Sequence, residues 1–305
     1  MDFPSLSRLA EEIGSWTPPK DCVIRNYDPA FIGPALSEKA KTLFRLLVPL
    51  ADRTVRERGR AVVSLFGGSG TGKSGSAALL EAWFRAAGVA CLVVNGDNYP
   101  HRIPVSNDAE RLRRFRSGGR KALRAAGLND ADTALTLNRL LLSGRDADPQ
   151  EAARLPWLQV YQSGGKTALE AYLGTPLEQD FDALNALLDD FHAGKETLRL
   201  KKLGRSEDER GYETADGQNL PLLILEWTHG GSERLRGVDI PVLLLGSTEE
   251  TMPYRRARNR DADTDAPFTT TVLNIEQAKL LARADSAAII LSRNGKPVTA
   301  NESGG

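Results

Sequence analysis

The chain of 305 residues predicts a doubly wound α/β fold, a mostly parallel sheet with helices on both faces. Three observations predict it. Five short apolar runs, at 61–66, 90–95, 221–226, 238–245 and 286–291, lack the polar alternation of a half-exposed strand. That is the pattern of parallel strands buried on both faces. Helical stretches separate these runs, and the first passes straight into a glycine-rich loop and a helix start, the order of a βαβ unit.

Taken in order, residues 1–37 are Pro-rich with little periodicity and read as an arm on the domain surface. Ser37 fits an N-cap for an amphipathic helix over 38–58, with Leu43, Leu46, Leu47 and Leu50 on one face and Gly59 ending it. Arm and helix form a first segment, 1–58. Strand 61–66, helix 74–87, Gly88 as C-cap and strand 90–95 make the first part of the core, 59–102. The character changes over 103–172, which reads as a mostly helical insertion with Gly/Ser breaks through Ser163-Gly-Gly165. Its basic stretch carries Arg111, Arg113, Arg114, Arg116 and Arg120, either a solvated helix face balanced by Asp108 and Glu110 or part of an anionic substrate pocket. Residues 173–305 complete the core, with a lid-like segment at 263–271.

Composition narrows the function classes. Basic and acidic residues balance at 40 each, so there is no cationic excess for nucleic acid. Two cysteines, Cys22 and Cys91, suffice for neither a disulfide framework nor a four-ligand zinc site. No apolar run approaches membrane-spanning length, and the N-terminus lacks the layout of a secretory signal, so a cytoplasmic location is expected.

The loop after the first strand carries the chemistry. Gly67, Gly68, Ser69, Gly70, Thr71, Gly72, Lys73 and Ser74 fit G-x-x-x-x-G-K-[ST], the phosphate-binding P-loop, and Gly75 continues into the helix. Glycines let the backbone approach a phosphate, and loop N–H groups with the helix N-terminus form an anion cradle. Lys73 suits the β- and γ-phosphates of ATP, and the Ser74 hydroxyl suits Mg²⁺.

Further candidates follow the other strands. Asp97, after the second strand, is expected beside the P-loop strand, where a carboxylate can take a proton from an acceptor hydroxyl or orient hydrated Mg²⁺. His101 and Arg102 lie within reach of a substrate there. Glu226, at the tip of the third strand, resembles a Walker B carboxylate holding Mg²⁺ through water, with Trp227 and His229 as lining residues. After the fourth strand, Arg255 and Arg258, or Arg256 and Arg260, share helix faces and suit the charge of a phosphoryl group in transfer.

In this order the motifs resemble the uridine kinase/phosphoribulokinase branch of P-loop kinases. Gly67–Ser74 matches its glycine-rich loop, Asp97 and Tyr99 its acidic–aromatic pair, Glu226 its strand-ending Glu, and Arg255, Arg256, Arg260 and Asp261 loosely its arginine lid. Leu173–Asp182 looks like its Pro-x-x-x-Asp-Phe-Asp segment. The resemblance covers 60–103 and 172–293 and implies the P-loop NTPase fold, a kinase activity, and a substrate-side place for Tyr99. Two departures point away from a nucleoside. The family's Asp-His-Pro turn is Gly174-Thr-Pro176 here, and 200–204 offers no Tyr-Asp pair. A weaker similarity, through Gly96-Asp-Asn-x-x-His101 with Glu110 and Arg113-Arg114, is to adenylylsulfate kinases.

The expectation is an ATP-dependent kinase acting on a hydroxyl of a small metabolite, with Lys73, Asp97, Arg255 and Arg256 catalytic. The alternatives are an adenylylsulfate kinase-like enzyme and a P-loop regulatory switch, although the Asn-Lys-x-Asp signature of a GTPase is missing. The expected partner is the small-molecule acceptor, not nucleic acid or membrane, with a homo-oligomer left open.

Overall fold

A computed structural model describes residues 3–19, 22–25, 27–258 and 266–302, with Ala257 and Arg258 described by their backbone alone. Ten α-helices and seven strands are ordered α1 (Pro4–Glu12), α2 (Pro34–Arg58), β1 (Ala61–Gly67), α3 (Lys73–Ala86), β2 (Cys91–Asn95), α4 (Pro104–Ala125), α5 (Ala131–Leu142), α6 (Pro149–Arg154), α7 (Pro156–Glu170), α8 (Phe181–His192), β3 (Thr197–Lys202), β4 (Gly211–Asp216), β5 (Leu222–Glu226), β6 (Ile240–Leu244), α9 (Thr248–Arg258), α10 (Pro267–Leu281) and β7 (Ile289–Leu291) among the described residues. Five strands form one parallel sheet in the order β2-β5-β1-β6-β7. The doubly wound sheet is as the apolar runs predicted.

The core explains why these strands carry no polar alternation. Ala61, Val63 and Leu65 of β1 face α2 and α3, packing with Phe44, Leu47, Leu80 and Trp83. Val62, with Leu223 and Leu225 of β5, faces α8, packing with Phe181, Leu188 and Phe191. The one polar side chain inside β1, Ser64, is fully buried and donates to Gly230 O at 2.7 Å, so its burial leaves no polar group unmet.

Several local expectations change. The strand before Asp97 does not adjoin the P-loop strand, because β5 pairs with both β1 and β2. As the sheet edge, β2 is only half-buried over Cys91–Val93, not covered on both faces. Helix α2 begins at Pro34 with Gly33 as N-cap, so Ser37 lies inside its first turn; the fixed φ of Pro suits the first helical position. The arm is more than a surface strap. Leu6 and Leu9 of α1 are core residues, and Trp16 stacks on Phe44 at 4.5 Å between ring centroids. Pro267–Thr271, read as lid, opens α10, and 263–265 lie outside the described residues.

The stretch 104–170 holds four helices; Gly127 and Gly144 break it as expected, at positive φ after α4 and α5, but its paired glycines do not. Gly118 and Gly119 sit inside α4, Gly164 and Gly165 inside α7, where the two helices pack in near backbone contact. The antiparallel pair β3–β4 was not expected from the sequence. Its charged residues Arg199, Lys201 and Lys202 obscure the buried Leu198 and Leu200. No helix among the described residues is long and apolar enough to cross a membrane.

Candidate active site

The P-loop takes the shape its glycines allow. Gly67, Gly70 and Gly72 have φ of 154°, 83° and 93°, and a Cβ on Gly67 would stand 2.3 Å from Leu244 O. No other residue type fits there. Helix α3 starts at Lys73, so its free N–H groups face the loop. Lys73 Nζ donates to Gly67 O at 2.8 Å and Gly68 O at 3.0 Å, which holds the ammonium over the loop. A second lysine, Lys39 of α2, is buried and donates to Thr71 O at 3.2 Å. Burial, then Arg293 and Lys73, lower its pKa to about 8. Two cations, Lys39 and Lys73, gathered on one loop are relieved by an anion, the electrostatic half of a phosphate site.

Glu226 ends β5 and is buried, in register between Leu65 of β1 and Asn95 of β2. It shares a cavity of about 270 Å³ with Ser74, Asn95 and Asn98, closed by Arg25 and Tyr27 of the arm. Among the described residues no group of three or more His, Cys, Asp or Glu side chains could hold a metal ion. A hydroxyl and one carboxylate fit Mg²⁺, which keeps water and phosphate oxygens as its remaining ligands.

Asp97 is exposed in a short 3-10 turn after β2, its N–H donating to Asn95 Oδ1 at 2.8 Å. The expected substrate-side aromatics are core residues instead. Tyr99 and Trp227 are each 1% exposed in the cluster with Phe181 and Leu225, and burial raises the Tyr99 hydroxyl to about 12. A Cβ on Gly96 would lie 2.1 Å from Trp227 Cγ, so the indole is seated against the turn that presents Asp97. His101 and Arg102 turn away from the P-loop. The His101 ring meets Pro176 O at 3.0 Å and lines an outer cavity of about 430 Å³ that no P-loop residue lines, and Arg102 donates to Tyr172 Oη at 3.1 Å.

The arginines of α9 separate as well. Arg255 is buried against the loop, with its Cγ 3.3 Å from where a Cβ on Gly70 would be, and Nη2 donates to Thr248 O at 2.8 Å. Its Nε is buried with no hydrogen-bond partner among the described residues, a donor that a phosphate oxygen would satisfy. Arg256 is exposed. The Arg258 side chain, Arg260 and Asp261 lie outside the described residues.

Of the opposite wall the sequence marked His229 as a lining residue and Arg111 as one of many basic residues, and it missed Glu178 and Glu276. Glu178, in the loop before α8, has a fully buried side chain that accepts from Arg111 Nε at 2.6 Å, Asn107 Nδ2 at 3.1 Å and Gly174 N at 2.7 Å. Burial alone would raise this carboxyl, but Arg111 and the Gly174 N–H outweigh it and leave the pKa below the ordinary value. His229 is half-buried, and burial drives it down to about 4, so it is neutral at pH 7 and no acid. Glu276 of α10 stands 3.6 Å from Arg111 Nη2 and lines a recess with Gly68 and Ser69 of the P-loop. Burial pushes Glu276 up to about 7, with Arg111 and Lys73 opposing the rise and Glu178 and Asp97 adding to it. Lys73 and Asp97 thus both act electrostatically on Glu276, near the carboxyl ends of the strands, where open α/β sheets bind ligands.

No family model matches the chain. It is 36% identical over 236 residues to the bifunctional alpha-galactosidase/sucrose kinase AgaSK of Mediterraneibacter gnavus, a match that takes in 77% of this chain and 20% of that protein. The chain thus spans about a fifth of the length of that relative. Among solved structures it is similar to D-glycerate 3-kinase from Cryptococcus neoformans, with 13% identity, a TM-score of 0.47, and 88% of this chain and 98% of that chain covered. It is also similar to phosphoribulokinase from Rhodobacter spheroides, with 14% identity, a TM-score of 0.45, and 77% and 70% covered.

Proposed function

We propose that the chain is an ATP-dependent kinase that phosphorylates a hydroxyl of a small sugar or related polyol, with Mg²⁺ as the metal. The observation that carries this reading is the P-loop, with Lys73 and the buried donor of Arg255 against it and the Glu226 carboxylate in one cavity with Ser74. The sucrose kinase similarity makes sucrose the first acceptor to try. The loop N–H groups and the α3 N-terminus bind the phosphates, and Lys73 and Arg255 stabilise the charge that spreads over the transferred group. Ser74 directly, and Glu226 through water, would hold Mg²⁺, which neutralises phosphate charge when bound. Asp97 accepts the proton of the acceptor hydroxyl as its oxygen forms a bond to the γ-phosphorus and the bond from that phosphorus to the ADP oxygen breaks. His229, neutral and set against Gly174, packs the wall and takes no proton.

Acceptor-dependent ADP release tests the reading, measured across sucrose, hexoses, polyols, glycerate, nucleosides and adenylylsulfate. A sugar- or polyol-dependent rate with a phosphorylated product supports it. ADP release that no acceptor stimulates would sink it and point to a nucleotide switch.

A further inference from the structure

We infer that Glu276 is a second acceptor-binding carboxylate of the cleft, taking a hydroxyl of the sugar on the side opposite Asp97 while Arg111 of the α4–α7 insertion holds it in place. The inference rests on the kinase reading and adds to it the residue that recognises the acceptor.

Four observations converge. Glu276 lines a narrow recess of about 10 Å³ with Gly68 and Ser69, roughly the space of one hydroxyl, so its carboxylate stands next to the phosphate loop and not on the outer face of α10. Its side chain is 12% exposed, enough to meet a ligand and little enough to be held. Arg111 on α4 touches it, and the charges of Glu178 before α8, Lys73 on α3 and Asp97 after β2 act on it through space. It is thus under the influence of both the phosphate-side lysine and the candidate base. Finally, the pair is anchored from behind. Arg111 spans from Glu276 to Glu178, whose remaining lone pairs are taken by Asn107 and Gly174 N, so the guanidinium cannot swing away without stranding a buried carboxylate.

The chemistry follows from this placement. A sugar hydroxyl binds best to an ionised carboxylate, because a charged acceptor makes a hydrogen bond about twice as strong as a neutral one. Two carboxylates flanking the phosphate cradle fix two hydroxyls of one polyol, so that the reacting oxygen is presented in a single orientation. An acidic pair of this kind disfavours anionic acceptors such as glycerate or adenylylsulfate by like-charge repulsion. The raised carboxyl of Glu276 also gives the site a signature: it is protonated below about pH 7 and ionised above, so acceptor binding tightens as pH rises through that value.

Steady-state kinetics with sucrose and its monodeoxy derivatives test the proposal in full-length protein, wild type beside Glu276→Gln. In the variant the KM for sucrose should rise about tenfold or more, the size of one charge-assisted hydrogen bond. Its affinity for a non-hydrolysable ATP analogue, by titration calorimetry, should stay within about threefold, since the P-loop makes those contacts. One deoxy position should cost wild type about the same factor and cost Glu276→Gln nothing further. The rise of kcat/KM through about pH 7 should vanish in Glu276→Gln. An unchanged KM, an equal penalty at every deoxy position, or a surviving pH limb overturns the proposal. If Glu276→Gln does not fold, Glu276→Asp retains the charge, and only loss of the same single deoxy discrimination upholds the assignment. Failure of the kinase reading shows differently, as no transfer to sucrose or any other acceptor by wild type, and it takes the proposal with it.

Discussion

The two walls of the cleft are built in opposite ways. The phosphate wall is one continuous stretch, Gly67–Ser74, held by backbone conformation and positive φ at a few glycines. The acceptor wall takes Arg111 from α4, Glu178 from a loop and Glu276 from α10, and it is held by buried charge. A backbone site tolerates changes in most surrounding side chains, whereas a buried ion network fails when any one partner is removed. The first is therefore suited to a ligand that does not change, the nucleotide, and the second to one that a modest set of substitutions can exchange.

Breaking the phosphate wall gives the largest expected effect. Lys73→Ala should leave the fold intact and lower turnover by about 10³ or more, because the developing phosphoryl charge loses its mobile cation. Single-turnover kinetics beside circular dichroism check this, and a folded variant with wild-type turnover would remove the P-loop from the chemistry. Asp97→Asn comes next, with turnover lower by about 10²–10⁴ and ATP affinity within a few-fold. The amide keeps the shape of the turn after β2 but cannot take the proton. Unchanged turnover would reduce Asp97 to a turn residue seated on Trp227.

On the acceptor wall the loss appears as stability. Glu178→Ala removes the shortest ion pair of Arg111 and the acceptor of Asn107 Nδ2 and should cost about 3–5 kcal/mol, the usual result of breaking a buried pair from one side. Chemical denaturation measures it, and a cost under about 1 kcal/mol would class the pair with solvent-screened surface bridges. The wall also predicts a pH trend. Glu276 has a folded-state pKa raised to about 7, so the folded state binds the extra proton between the ordinary carboxylate range and pH 7. Its contribution to stability is complete below that range and is lost as pH rises through about 7. The melting temperature of wild type should fall across that window, and Glu276→Gln should flatten this component.

The same contrast explains what was legible in the sequence. All five strands of the sheet and the P-loop were read from contiguous residues, since burial on both faces and tight turns leave local marks. The strand order was not, because the placing of β5 between β1 and β2 is decided by crossovers that no local window contains. Tyr99 and Trp227 were misread as substrate residues because they flank Asp97 and Glu226 in sequence. Side chains next to each other on a strand or tight turn point to different sides, so a neighbour of a site residue is often a core residue. Glu178 and Glu276 gave no signal, since a lone acidic residue in a loop or on an amphipathic helix reads as solvent-facing. Only the topology that brings Arg111 to them turns them inward.

The smallest effect sharpens the comparison most, because it touches the acceptor wall only through packing. A Cβ on Gly118 of α4 would lie 2.4 Å from both Ala168 Cβ and Gly164 O of α7, and one on Gly164 would lie 2.4 Å from Ala122 Cβ. In an isolated helix Gly→Ala gains about 1 kcal/mol. Here the added methyl must push two helices apart, and overpacking of that kind costs about 1–3 kcal/mol. The interface should win, so Gly118→Ala should melt below wild type, whereas Gly14→Ala, with nothing within 4 Å of its Cβ, should not. Arg111 lies about two turns before Gly118 on the same helix, so a displaced α4 should also loosen its grip on Glu276 and Glu178. The expected pattern is a raised acceptor KM with ATP affinity unchanged, measured with the best acceptor of the panel. A Gly118→Ala protein more stable than wild type would mean that α4 and α7 are not in backbone contact, and that the acceptor wall is not held by the packing of the insertion.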